Sequence, residues 1–100
     1  MAQLTVVYWR DIPAQVIVKA GRKNAKVQLD ERFEKGIDAA AMKSGADSTD
    51  DYLADWRRAD PEPCGDDLEA EANAAAERLH AAYDVERLRA LIANGGHEPG

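Results

Sequence analysis

The apolar positions follow a two-residue period in the first third of the chain and a three-to-four-residue period in the rest. Leu4-Thr5-Val6-Val7-Tyr8-Trp9 concentrates β-branched and aromatic residues, which predicts a strand. Asp11-Ile12-Pro13 interrupts the run, and Pro13, without an amide hydrogen, belongs in a connection. Gln15-Val16-Ile17-Val18-Lys19-Ala20 predicts a second strand. Gly21-Arg22-Lys23-Asn24 is a turn signal, and Ala25 to Leu29 alternates apolar and polar like a half-buried third strand. Strands two and three are expected to form a hairpin.

Helical spacing begins after Asp30, whose carboxylate suits an N-cap. Phe33, Ile37, Ala40 and Ala41 fall on one face, and Ser44-Gly45 ends that helix. Ser48 is expected to cap a short second helix, with Asp51 in a capping-box position and Tyr52, Leu53 and Trp56 as an apolar stripe that puts Trp56 in the core. Asp60-Pro61-Glu62-Pro63-Cys64-Gly65 reads as a stiffened loop. Asp66 or Asp67 caps a third helix bearing Leu68, Ala72, Ala75, Leu79 and Tyr83, with His80 expected on its surface. Asp84 starts a fourth helix with Val85, Leu88, Leu91 and Ile92 facing inward, and Asn94-Gly95-Gly96 stops it.

The expected architecture is an α+β domain: a small, mainly antiparallel three-stranded sheet with about four helices. It spans residues 1–94, with residues 95–100 as a flexible tail. Trp9 alternates with Thr5 and Val7, opposite Leu4, Val6 and Tyr8, and strand two is apolar on both sides. Either helices cover both faces of the sheet, or one face is open and meets a partner, of which a second copy in a homodimer is one form.

Charge changes the picture of partners. Residues 1–29 carry five basic residues and one acid, a net of +4; the rest carries eight basic and eighteen acidic residues, a net of −10, so the chain totals −6. An acidic helical half repels phosphates and argues against general nucleic-acid binding, while the β half can present a local positive face. No apolar run approaches the roughly 20 residues of a membrane span, and no signal-peptide pattern precedes the first strand, so a cytoplasmic protein is expected.

Candidate chemistry is sparse. Cys64, His80 and His97 are scattered, so no metal site is expected. Asp50-Asp51 and Asp66-Asp67 sit at helix starts, where acids complement the dipole. No serine has a histidine base at hand, and no glycine-rich phosphate loop exists; the chain is read as non-catalytic and without a cofactor. What stands out is Trp9-Arg10-Asp11-Ile12, closed by Pro13 at a sheet end. Trp and Arg are the residue types most enriched at interface hot spots, and a stiffened loop loses little entropy on binding.

Val6-Val7-Tyr8-Trp9-Arg10-Asp11-Ile12-Pro13-Ala14-Gln15-Val16, followed by Gly21-Arg22, resembles the signature of a small bacterial family known as "virulence factor". The resemblance continues through Asp30 to Met42 and the Tyr52-Leu53-x-x-Trp56 segment. Related domains occur fused behind iron–sulfur-scaffold-like and helical-repeat domains, and free-standing ones lie near genes for folate- and corrinoid-dependent methyl transfer. The resemblance implies an accessory role and supplies no catalytic residues. The leading expectation is an interaction module binding a protein partner through Trp9, Arg10, Asp11 and Ile12. The alternative is an accessory protein binding an anionic small molecule, of folate or corrinoid type, at Arg10, Arg22 and Lys23. A weaker third is regulatory RNA binding by the basic β half.

Overall fold

The computed structural model describes residues 2–45 and 49–97. Its elements run β1 (Ala2–Trp9), β2 (Ile12–Ala20), β3 (Lys23–Gln28), α1 (Glu31–Lys43), α2 (Thr49–Ala54), β4 (Trp56–Arg58), β5 (Glu62–Cys64), α3 (Leu68–Ala82) and α4 (Val85–Ala93). The α+β class is as expected, but the antiparallel sheet has five strands and not three. Its order is β3-β2-β1-β4, with β5 also on β1. Two short segments share the outer edge of β1 end to end. Val7, Tyr8 and Trp9 pair with Arg58, Arg57 and Trp56, while Ala2, Gln3 and Leu4 pair with Cys64, Pro63 and Glu62. Three residues are too few to show a period, so these segments read as a helix end and a loop. Pro63 is tolerated because β5 is an edge strand and needs donors on one side only.

A register shift decides where Trp9 goes. Val7 faces Gln15, but Tyr8 faces Pro13, so Ala14 is an extra residue on β2. Strict alternation would send Trp9 to the side of Thr5 and Val7. Beyond the shift Trp9 pairs instead with Ile12, and both join the core that holds Leu4, Val16 and Val18. That core also contains Phe33, Ile37, Ala40 and Ala41 of α1, Ala72, Ala75 and Ala76 of α3, and Leu88 and Leu91 of α4. Trp9 and Ile12 are both 0% exposed.

Val7 and Ile17 are buried too, but outside this cluster. Their cross-strand neighbours are Gln15, Thr5, Arg58 and Lys26. The helices therefore lie on one side of the sheet, and the other side is a helix-free face on which the stems of long basic side chains shield two aliphatic residues.

The helices are tied down by contacts that periodicity does not reveal. Asp30 makes no side-chain cap on α1; its carboxylate pairs with Arg32 at 3.2 Å. Its backbone amide donates to His80 Nε2 at 2.9 Å, so His80 is a half-buried fastener between α3 and α1, not a surface histidine. Arg32 donates to the carbonyls of His80 and Tyr83 at 2.8 and 3.0 Å, closing the C-terminal end of α3. Asp67 and Asp84 cap α3 and α4 through the amides of Ala70 and Arg87. The expected Ser48 cap, the Asp51 side chain and the tail residues 98–100 lie outside the described residues. Leu53 and Val85, read as buried, are 59% and 54% exposed. Trp56, read as a helical core residue, lies past the end of α2 on β4 and is half-buried.

Trp9→Ala should cost about 3–5 kcal/mol, the usual loss for a large aromatic from a close-packed core. Trp56→Ala should cost less, about 1–3 kcal/mol, because much of that ring already meets solvent. Chemical denaturation of both variants checks the order; a larger loss at Trp56 would reverse the assignment.

Candidate functional site

Arg10 and Asp11 form the turn between β1 and β2. Arg10 has φ 54°, the left-handed region that costs a residue with a Cβ about 1 kcal/mol. Its surroundings hold it there. The Arg10 amide donates to the Asp55 carbonyl at 3.1 Å, and the Asp11 amide to the Gly96 carbonyl at 2.8 Å. Arg10 Nε and Nη2 both reach Asp55 Oδ2, at 3.0 and 2.9 Å. Arg10 Nη1 donates to the Gly95 carbonyl, and the guanidinium lies 4.5 Å above the Trp9 ring. The Arg10 side chain is only 15% exposed.

Trp9 is enclosed in the same way. Its indole Nε1 donates to the Tyr52 carbonyl at 2.9 Å, and the two rings stack at 5.8 Å and 28°. Gly96, at φ 95°, closes the other side: a Cβ there would lie 2.9 Å from Trp9 Cζ3. Residues 95 and 96, assigned by sequence to the start of a loose tail, are thus part of the packing around Trp9, and Gly96 is buried.

The motif therefore divides into an internal half and an outward half. Trp9, Arg10 and Ile12 are taken up inside the protein. Asp11 meets Arg57 at 3.3 Å and lies 3.9 Å from His97. Arg57 Nε donates to the Arg10 carbonyl at 2.9 Å, and its guanidinium sits 4.6 Å over the Tyr8 ring. Beside it, on the helix-free face, a shallow depression of about 430 Å³ is lined by Val7, Gln15, Trp56, Arg57 and Arg58. Arg22 and Lys23 are exposed, but they occupy the far end of the β2–β3 hairpin. The length of β2 puts them roughly 25–30 Å from Arg10. Arg10, Arg22 and Lys23 therefore cannot grip one small anion together.

Tyr52, Asp55, Arg57, Gly95 and Gly96 complete this region and were not singled out as site residues by sequence. The run Trp56-Arg57-Arg58, an aromatic followed by two cations, was the available signal. Among the described residues no group of three or more His, Cys, Asp or Glu is placed to hold a metal ion. Cys64 is half-buried; burial, then the carboxylates of Glu71 and Asp66, push its thiol pKa up, which suppresses the reactive thiolate. No helix among the described residues is long and apolar enough to cross a membrane.

Arg10→Ala should destabilise the protein by about 2–3 kcal/mol, the scale of hydrogen bonds to charged groups in a partly buried site. Arg10→Gly should be milder than Arg10→Ala by about 1 kcal/mol, because glycine accepts the left-handed backbone. Thermal melts of the pair check both the magnitude and the order. Equal stability of Arg10→Ala and the unaltered protein would return Arg10 to the surface.

No curated protein and no solved structure matches the chain. Residues 7–92 match the model of one protein family, described as "Virulence factor". That match starts within β1 and ends in α4, taking in the Trp9-Arg10-Asp11-Ile12 turn and most of the chain, so the chain belongs to the virulence factor family.

Proposed function

We propose that the protein is a non-catalytic interaction module that binds an acidic segment of a protein partner at the sheet end organised by the Trp9-Arg10-Asp11-Ile12 turn. The partner meets the surface this turn builds, not the buried Trp9 and Ile12. The observation that carries the reading is the depression on the helix-free face, where Arg57 and Arg58 flank the aliphatic Val7 and the half-exposed edge of Trp56. The fork-shaped cation of Arg58 beside an apolar floor suits a peptide with a carboxylate next to a hydrophobic side chain, while Arg57, engaged by Asp11 and the Arg10 carbonyl, adds its charge. Lys26, exposed on the same face, extends the positive field. The lone thiol fits a reducing compartment, and we place the protein in the cytoplasm on that ground.

Arg58→Glu combined with Lys26→Glu tests the reading. Both side chains are exposed, so stability should stay within about 0.5–1 kcal/mol. Capture of the partner from cell extract should be lost, and the capture by unaltered protein should weaken steeply with added salt. Retained capture by the doubly reversed variant would place the interface elsewhere. Concentration-dependent self-association, abolished by the same reversal, would make the partner a second copy.

A further inference from the structure

On the helix side of the sheet end lies a separate cleft of about 160 Å³. Ala14, Leu29 and Ile37 form its apolar floor, Tyr52 and Trp56 its walls, and the exposed Gln28 and Glu34 stand at its rim. The two wall rings meet nearly at right angles, 81° apart with centroids at 5.8 Å. Asp38 is a second carboxylate close to the Tyr52 hydroxyl. Burial, then Asp38 and Glu34, push the Tyr52 pKa up, while a hydrogen bond from the Trp56 indole opposes them. Among the described residues neither Glu34 nor Asp38 has a cationic side chain within ion-pair distance, whereas Glu31 on the same helix pairs with Lys35 at 3.4 Å.

We propose that this cleft is a binding site for an alkylated ammonium group, held against the ring surface that Tyr52 and Trp56 leave open, with Glu34 and Asp38 supplying the countercharge. Aromatic faces attract a cation through the negative centre of the ring, and the attraction is strongest for a weakly hydrated head such as a quaternary ammonium. One side of Tyr52 is taken by Trp9, and Trp56 meets Tyr52 edge to face, so the cation is met by the ring surface that these contacts leave open to the cleft. The apolar floor suits methyl groups, while Gln28 and Glu34 confine the polar contacts to the rim of the cleft. An anion is excluded by the same carboxylates. The group could be a free small molecule or the tip of a methylated lysine; both present the same head. This site is distinct from the arginine-flanked depression, since the two lie on opposite sides of the sheet and share only Trp56.

Choline chloride is the probe, with 3,3-dimethylbutan-1-ol as its uncharged analogue of the same shape. Binding is read from the indole N–H resonances of Trp9 and Trp56 in a titration of the whole chain. Choline should shift the Trp56 resonance in a saturable way and bind at least about fivefold more tightly than the alcohol, the ratio a cation–π contact supports. Glu34→Gln, at an exposed position, should leave the fold intact and weaken choline severalfold without changing the alcohol. Tyr52→Phe keeps the ring face and should retain binding, while Tyr52→Leu should lose it. A peptide bearing trimethyllysine, compared with choline, assigns the source of the head: tighter peptide binding points to a modified protein, equal or weaker binding to a free amine. No saturable shift with either probe, or equal affinity for choline and the alcohol, would overturn the proposal. So would an unchanged choline affinity in Glu34→Gln.

Discussion

The burial of the Trp9 indole is the constraint on which this end of the protein depends. A large ring with one polar hydrogen can be sealed from water only if that hydrogen finds an acceptor and both faces find neighbours. The acceptor is the Tyr52 carbonyl, and the neighbours are the Tyr52 ring, the Arg10 guanidinium and the backbone of Gly96. These come from α2, the β1–β2 turn and the turn after α4. Segments far apart in sequence are thereby fixed to one residue. Arg10 completes the arrangement by bonding to Asp55 and Gly95, so the same segments are joined twice.

This gives a physical reason for the composition of the motif. Trp and Arg beside a stiff turn look like a contact surface because partners prize those side chains. The protein uses them on itself. The left-handed backbone at Arg10 is tolerated because three amide and guanidinium bonds repay it locally. What remains for a partner is the outer layer that this frame holds in place: Arg57, which leans on Tyr8 and on the Arg10 carbonyl, and its neighbour Arg58. Trp56 lies between the two candidate surfaces, with one edge in the arginine-flanked depression and another in the aromatic cleft.

Much of the fold was legible in the sequence, because β1, β2, β3, α1, α3 and α4 each carry several apolar residues in one period. Phe33, Ile37, Ala40 and Ala41 face the core as their spacing requires. The short strands β4 and β5 were not legible: Trp56-Arg57-Arg58 and Glu62-Pro63-Cys64 gain their conformation from the unfilled edge of β1, which is information held elsewhere in the chain. The side taken by Trp9 was hidden for a related reason. One extra residue on β2 reverses the phase of β1, and a period of two cannot survive a shift of one. Of the candidate site, the location at the sheet end was visible, but not its division into buried and exposed halves. That division rests on Gly96, whose lack of a side chain lets the turn after α4 close over the ring, and nothing local to Gly96 announces a tryptophan 87 positions earlier.

The central claim is that the motif is an internal anchor. Hydrogen exchange at the Trp9 indole tests it most directly, since that proton is bonded to Tyr52 and sealed beneath Gly96. The account predicts that it exchanges only when the whole protein unfolds, with an opening free energy equal to the global stability and the same denaturant dependence. Exchange at a rate near that of a free indole, in protein that is otherwise folded, would show Trp9 open to solvent and contradict the account.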